Sequence, residues 1–279
     1  MKKILVLFIF LISGYAIYSE EIEPANGDYE AFRRIVEKSR FKRSVDEQIY
    51  LLKNGHLAKS GYEKVTVFSA IEFILDSGDF SLDDKYSYIM DYAFSMCQYY
   101  PYKTEFDKYF PSIVKKGIPD FRERLKKELY SHRAKVNECY RKSVILGLGH
   151  LGDMDVTGEI FKLFDDVYWE FRESAVWAFS KGGHMKRFTK EEMKPYILKL
   201  NNDPYFERAG QFGCLQWKNP PIDPEKCTEK CKIYPVRDAV LPLLNYYQIK
   251  WKFDDNPCSK IGYGIRVIID PDYVEQKDK

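Results

Sequence analysis

The feature that most constrains the fold is a pattern that repeats in the middle of the chain. Residues 140–149 (YRKSVILGLG) and 171–180 (FRESAVWAFS) both start with an aromatic residue and Arg, continue with a charged residue and Ser, and end in an apolar run. The two copies lie 31 positions apart, and a second string, Asp165–Glu170, returns 37 positions later as Asn202–Glu207. Periods of about 20–50 residues are typical of solenoids built from stacked units.

Each copy has the periodicity of a helix. Apolar residues recur every three or four positions, at Val136, Cys139, Tyr140, Val144 and Leu148 and again at Phe171, Ala175, Ala178 and Phe179. Glycine pairs at 149/152 and 182/183 favour a helix end. We expect Asp155 to cap the following helix, and Thr189 with Glu192 to form a capping box. Helices this short bury their apolar faces only by stacking on their neighbours.

These motifs resemble a known repeat family. Arg141–Asp153, ending in Leu-Gly-His-Leu-Gly-Asp, is similar to the inner helix and turn of a HEAT-like repeat, and Phe171–Gly183 is similar to the next unit. The resemblance covers about residues 136–217 and extends more loosely to 248, although the spacing is irregular and Gly210 and Gly213 weaken the third copy. It implies an all-α fold, an α-solenoid of HEAT-like helix pairs, that binds other macromolecules. It also implies structural bonds between units from Arg141, Asp153, Asp166, Arg172, Asp203 and Arg208.

The N-terminal segment has the composition of a secretory signal peptide. Lys2 and Lys3 precede an apolar run from Ile4 to Ile12, and small residues follow at Ser13–Ala16. The run has about half of the roughly 20 apolar residues that a membrane-spanning helix needs. We therefore expect export to the periplasm, the outer surface or the medium, with cleavage after Ala16 or Ser19 and no membrane span afterwards. An uncleaved anchor is the alternative, and it would make the protein membrane-associated.

The charge balance argues against nucleic-acid binding. The chain has 44 basic and 42 acidic residues, and cleavage would remove Lys2 and Lys3 and no acid, so the mature chain is formally neutral. Nucleic-acid binding depends on a dense positive field. The two basic runs, at 33–43 and 115–127, are interpreted as solvated helix faces, with contact to an anionic surface as the alternative.

Six cysteines occur, at positions 97, 139, 214, 227, 231 and 258. In an exported protein an even number favours disulfides over metal ligands. Cys214, Cys227, Cys231 and Cys258 are the candidates, because they cluster where the repeat pattern fades; their pairing is not deducible from the sequence. Buried thiols or a metal or redox pair at Cys227 and Cys231 are the alternatives.

The chain divides by pattern into four segments. These are the signal peptide at 1–19, a helical region of degenerate repeats at 20–135, the HEAT-like repeats with a cysteine-containing insertion at 136–248, and a C-terminal β-hairpin and tail at 249–279. The hairpin is predicted because residues 248–253 alternate polar and apolar side chains and residues 264–269 are rich in β-branched ones.

No catalytic, cofactor or metal site is predicted. Gly147–Gly152 matches G-x-G-x-x-G, but that motif binds dinucleotides only between a strand and a helix, and here helical spacing precedes it and acids follow it. The four histidines are scattered, without metal-ligand spacing. The leading hypothesis is an exported scaffold that binds a protein partner. The alternative is an envelope enzyme whose site uses scattered acidic and Tyr residues: Asp83, Asp84, Tyr86, Tyr88 and Asp91.

Overall fold

The computed structural model describes residues 26–39, 42–100, 118–205, 207–208, 232–253 and 267–269. The expected signal peptide, and the four cysteines expected to form disulfides, lie outside the described residues. The described part is mainly α-helical. Contacts divide the chain into two compact units, residues 1–100 (unit 1) and 101–279 (unit 2), a division that comes earlier than the predicted boundary after residue 135.

Unit 1 contains four described helices: α1 (Asn26–Glu37), α2 (Val45–Lys53), α3 (Gly61–Asp76) and α4 (Leu82–Tyr99), with a 3₁₀ turn at Gly55–Leu57. Helices α2, α3 and α4 begin at capping boxes. In each, a Ser side chain accepts the backbone N–H of the acid three positions on, and that acid's side chain accepts the backbone N–H of the Ser. The pairs are Ser44 with Glu47, Ser60 with Glu63, and Ser81 with Asp84. Such caps satisfy backbone donors that a helix start leaves open. The core between the helices includes Phe32, Leu51, Val67, Ile74 and Ile89.

Unit 2 is a succession of short helices: α5 (Phe121–Glu128), α6 (His132–Val136), α7 (Glu138–His150), α8 (Thr157–Leu163), α9 (Trp169–Lys181), α10 (Lys190–Asn201), α11 (Pro235–Ala239) and α12 (Leu241–Tyr246). Helices α5, α6, α8 and α9 pack on α7, and α9 in turn packs on α8 and α11. This sequential packing buries Tyr140, Phe164, Phe171, Phe179 and Val236. The two helices predicted from the repeated pattern correspond to α7 and α9.

The glycines of the repeat permit a close approach of α7 and α9. A Cβ at Gly149 would lie 2.6 Å from Ile160 Cδ1 and 3.1 Å from the Cβ of Ala178, and one at Gly182 would lie 1.9 Å from the carbonyl oxygen of Gly149. Gly152 and Gly183 have φ of 72° and 78°, which favours glycine. The G-x-G-x-x-G string therefore lies in the last turns of a helix packed on another helix, and no strand leads into it.

Two predictions about helix starts have different outcomes. The capping box of Thr189 with Glu192 is confirmed at the start of α10. The prediction for Asp155 is wrong, because Asp153 accepts the backbone N–H of Asp155 at the start of a 3₁₀ turn, Met154–Val156, which leads directly into α8. Asp155 thus lies within the 3₁₀ turn, and α8 begins at Thr157 without a side-chain cap.

Two short antiparallel strand pairs complete the described part. Strand β1 (Glu207–Arg208) pairs with β2 (Lys232–Ile233). Strand β3 (Trp251–Phe253) pairs with β4 (Val267–Ile269), with Lys252 opposite Ile268. Residues 254–266 between the second pair lie outside the described residues, so the C-terminal hairpin as a whole stays a prediction.

Among the described residues, no helix is both long enough and apolar enough to cross a membrane.

Candidate functional site

The three aspartates named from the sequence occupy equivalent turns in unit 2. Asp153, Asp166 and Asp203 each follow or precede a helix, and each accepts the backbone N–H of the residue two positions on, at 3.1, 3.0 and 3.0 Å. Their side chains are 3–7% exposed. A carboxylate this buried needs a positive or hydrogen-bonding partner, since an unpaired buried charge is costly.

Each aspartate receives that partner from an earlier helix. Lys126 of α5 lies 2.8 Å from Asp153, and Lys142 of α7 lies 2.7 Å from Asp166. Arg172 of α9 donates to both carboxylate oxygens of Asp203, at 2.6 and 3.0 Å. We call these three ion pairs the ladder. Their recurrence ties each turn of unit 2 to a helix that precedes it in the chain.

The surroundings of Lys142 show how tightly one of these cations is held. Burial alone would lower the pKa of Lys142, but hydrogen bonds to Asp166 and Glu138 outweigh it and raise the pKa. The ammonium also lies 4.8 Å from the centre of the Phe171 ring, a cation–π contact. Lys142 therefore stays charged and joins α7 to the turn before α9 and to α9 itself.

Two of the ladder turns are also held by an arginine from the following helix. Arg172 donates to the carbonyl oxygen of Asp166 at 2.7 Å, and Arg237 of α11 donates to the carbonyl oxygen of Asp203 at 2.6 Å. In both cases an arginine of the helix after the turn donates to the carbonyl oxygen of the ladder aspartate. Two arginines therefore bind Asp203: Arg172 binds its carboxylate and Arg237 binds its backbone carbonyl oxygen.

The other two residues named from the sequence behave differently. Arg141, aligned with Arg172 by the repeat, is 45% exposed and lies 3.5 Å from Glu159. On that helix, α7, the ladder ion pair is made by the next residue, Lys142, with Asp166. Arg208 lies in β1, and its side chain is outside the described residues. Lys126 and Lys142 were thus missed, because lysines on amphipathic helices are ordinarily surface residues.

Three hollows run side by side along the ladder. The first, about 440 Å³, is lined by residues that include Lys126, Asp153 and Tyr130. The second, about 380 Å³, includes Lys142 and Asp166 and shares Arg141 and Glu159 with the first. The third, about 550 Å³, includes Arg172 and Asp203 and shares Asp165 and Val167 with the second. Neighbouring hollows share wall residues, so they lie in a row along unit 2, and we call this row the groove.

The walls of the groove carry both signs of charge in equal number. Among its described lining residues the basic ones are Lys126, Lys135, Arg141, Lys142, Lys162, Arg172 and Lys199, and the acidic ones are Glu138, Asp153, Asp155, Glu159, Asp165, Asp166 and Asp203. The ladder pairs lie at the bottom, while Glu138, Asp155, Lys162 and Lys199 are mostly exposed. These lining residues therefore carry no net formal charge, and each exposed charge at the edge is paired with an oppositely charged residue of the chain.

Large apolar side chains stand exposed at the same groove. Val167, on the wall between the second and third hollows, is 83% exposed, and Tyr130, at the first hollow, is 75% exposed. Exposed apolar side chains within a polar rim are typical of contact surfaces. Neither residue was predicted from the sequence, because exposure depends on how the helices of unit 2 pack.

The residues of the alternative enzyme hypothesis have local structural contacts. Asp84 accepts a hydrogen bond from the Ser81 hydroxyl at 2.6 Å in the capping box of α4, and Tyr88 meets Phe80 edge to face with ring centres 5.7 Å apart. Asp83 lies in the first turn of the same helix. Asp84 and Tyr88 thus contribute to the start of α4.

His56 and His184 lie in separate environments, one in each unit. In unit 1, His56 Nδ1 lies 3.0 Å from Ser95 Oγ and the ring stacks on Tyr99. In unit 2, His184 is fully buried, with Nε2 3.1 Å from the Gly149 carbonyl oxygen and Nδ1 2.7 Å from Thr157 Oγ1. Burial lowers the pKa of both imidazoles. Within the described ranges no cluster of three or more His, Cys, Asp or Glu could hold a metal ion.

Comparisons of the chain with protein-family models, with curated proteins and with solved structures found no match.

Proposed function

We propose that the protein is an exported helical-repeat scaffold of the HEAT-like kind, which binds a protein partner in the cell envelope along the groove of unit 2 and has no catalytic activity of its own. The observation that carries this proposal is the row of three adjacent hollows, which share Arg141, Glu159, Asp165 and Val167 as wall residues. Repeat proteins use extended surfaces of this kind for binding.

The composition of the groove favours a polypeptide as the partner. A strongly charged polymer gains affinity from a surface of opposite net charge, and the described walls carry seven basic and seven acidic residues. A polypeptide supplies both kinds of charge for the exposed Glu138, Asp155, Lys162 and Lys199 at the edge. It also supplies apolar side chains for Val167 and Tyr130, and a Tyr within a contact surface often contributes much of the binding free energy.

The proposal is tested by site-specific photo-crosslinking in intact cells. A photoreactive amino acid is placed in turn at Tyr130, Val167 and Tyr196, and at Tyr62 of unit 1 as the control, since all four side chains are exposed. Tyr196 stands on α10, the helix that supplies Lys199 to the third hollow. We expect one and the same envelope protein to be captured from the positions in unit 2 and not from Tyr62.

A quantitative measurement follows with the captured protein in purified form. Val167→Asp places a charge where an apolar contact is expected, and we expect it to weaken binding by about tenfold or more. Tyr62→Asp is the matched control and leaves the dissociation constant unchanged. Equal affinity of the Val167→Asp variant and the parent protein, or capture of unrelated proteins from the three positions, would refute binding along the groove.

A further inference from the structure

The third hollow of the groove is connected to a half-buried carboxyl group outside it. Arg237 of α11, which donates to the carbonyl oxygen of Asp203, is followed by Asp238 on the same short helix. Asp203 lines the hollow and accepts both bonds from Arg172. A displacement of α11 would therefore remove one of the two groups that hold Asp203.

Asp238 lies where its charged form is poorly accommodated. Its Oδ1 is shielded from solvent and has no hydrogen-bond partner in the described part of the chain. The helix packs on α9, α10 and α12 and buries Val236 and Ala239 completely. A carboxylate that loses its water without gaining donors favours the protonated form.

The pKa of Asp238 is raised by its surroundings. Burial is the main cause that raises its pKa, the Glu173 carboxylate of α9 raises it further, and Arg237 lowers it; the result is a pKa of about 7. Among the described residues, α10 and α12 contribute no charge that acts on Asp238. The arginine does not neutralise the carboxyl group directly, because its guanidinium donates to Asp203 and stacks on the Tyr234 ring at 4.1 Å.

We propose that a proton on Asp238 keeps α11 packed on α9, and thereby keeps Arg237 on Asp203, so that the third hollow is held together in mild acid and loosens as the pH rises to neutrality. The proposal rests on the groove being the binding site, and it adds that partner binding at the third hollow is proton-dependent. Below neutral pH the proton is bound and α11 is closed. Above it, Asp238 is ionised, and the negative charge of Glu173 on α9 acts against it.

The test is hydrogen exchange of the purified mature chain without any partner, at about pH 5.5 and about pH 8.5, corrected for the intrinsic pH dependence of exchange. We expect the amides of Val236–Val240 to open on the order of tenfold more often at the higher pH, because ionisation favours the open form by that factor or more. The amides of α7 serve as the internal reference. Equal protection of α11 at both pH values would overturn the proposal.

Two variants make the assignment specific. Asp238→Asn keeps the shape and removes the ionisation, so we expect its α11 amides to show no pH dependence. Glu173→Gln removes the facing carboxylate, so we expect a smaller pH response than in the parent protein, and it serves as the second variant if the first does not fold. A full pH response in both variants would assign the effect to another group. Since no partner is used, these results stand apart from the crosslinking test of the groove.

Discussion

The two units differ in what the cations within their folds bind. In unit 1, Arg43 donates to the carbonyl oxygens of Ile35, Val36 and Lys38 and so closes the end of α1, and Lys85 donates to the carbonyl oxygen of Leu75 near the end of α3. These bonds span ten residues or fewer. In unit 2, the ladder cations reach carboxylates up to 31 residues away, as from Arg172 to Asp203.

The difference shows how each unit is held together. A cation at a helix C-terminus satisfies carbonyl groups that the helix leaves open, and this helps one helix to end. A cation that reaches the next turn fixes the position of one helix pair relative to the next. In unit 1 these two cations therefore close individual helix ends, whereas in unit 2 the same long-range ion pair occurs in three places.

The largest expected effect comes from breaking one ladder pair. Arg172→Met keeps most of the side-chain volume and leaves the Asp203 carboxylate buried without its main partner, so we expect the free energy of unfolding to fall by about 3–5 kcal/mol. Guanidinium denaturation followed by tryptophan fluorescence measures it, because all four Trp residues lie in unit 2.

The exposed pair of the same unit is the control for that measurement. Arg141→Met removes a partner of Glu159 at 3.5 Å from a half-exposed site, and it should change the free energy of unfolding by less than about 1 kcal/mol. If both variants lose the same stability, the ladder has no special role and unit 2 is held by apolar packing alone.

The second prediction concerns acid and unit 1. Burial lowers the folded-state pKa of His56 to about 4, while the Asp28 charge raises it slightly. The folded unit therefore holds His56 neutral, and the unfolded chain takes up the proton first. The resulting stabilisation is complete above about pH 6.5 and is lost as the pH falls towards 4, by about 2 kcal/mol.

Hydrogen exchange of the α2 and α4 amides between about pH 6.5 and 4.5 measures this loss, and the His56→Gln variant should be flat over that range. The window lies above the pH range in which the stabilisation from the capping carboxylates is lost, since Glu47 and Glu63 have lowered pKa values. Asp238 in unit 2 has the opposite sign, because its raised pKa makes its contribution complete in acid. Parallel pH responses of the two units would contradict the comparison.

The smallest expected effect is a gain in stability. Gln48 in α2 is fully buried, and neither polar atom of its side chain has a hydrogen-bond partner within the described residues. Gln48→Met has a similar shape without the polar atoms, so we expect unit 1 to become more stable by about 1 kcal/mol. Far-UV circular dichroism during urea denaturation measures it, and Gln48→Glu, which buries a charge, should lose stability instead.

The sequence was informative where a local rule decides the structure. Helical spacing predicted α7 and α9, and the Ser/Thr-x-x-Glu signature predicted the cap of α10. All three ladder aspartates were named from the sequence because each has a turn-forming position near the start or end of a helix. Their partners were harder to predict, since Lys126 and Lys142 differ from surface lysines only in what the fold places beside them.

The groove could not be predicted from the sequence. It depends on how the helices of unit 2 pack, and no local pattern encodes the exposure of Val167 or the partial burial of Asp238. The register of the repeat also misled the choice of cation in one unit, because Arg141 aligns with Arg172 while Lys142 makes the equivalent bond. The displacement is one residue, or about 100° around a helix, which is enough to change the face on which a side chain lies.

The contact between Gly149 and Gly182 sets a limit on how this protein can vary. A methyl group at Gly182 would collide with the backbone of Gly149, and one at Gly149 would press on the side chains of Ile160 and Ala178. An insertion of one residue within α7 would rotate its end by about 100° and bring a larger side chain into the crossing. Length changes in unit 2 should therefore be confined to its turns and not fall within α7 or α9.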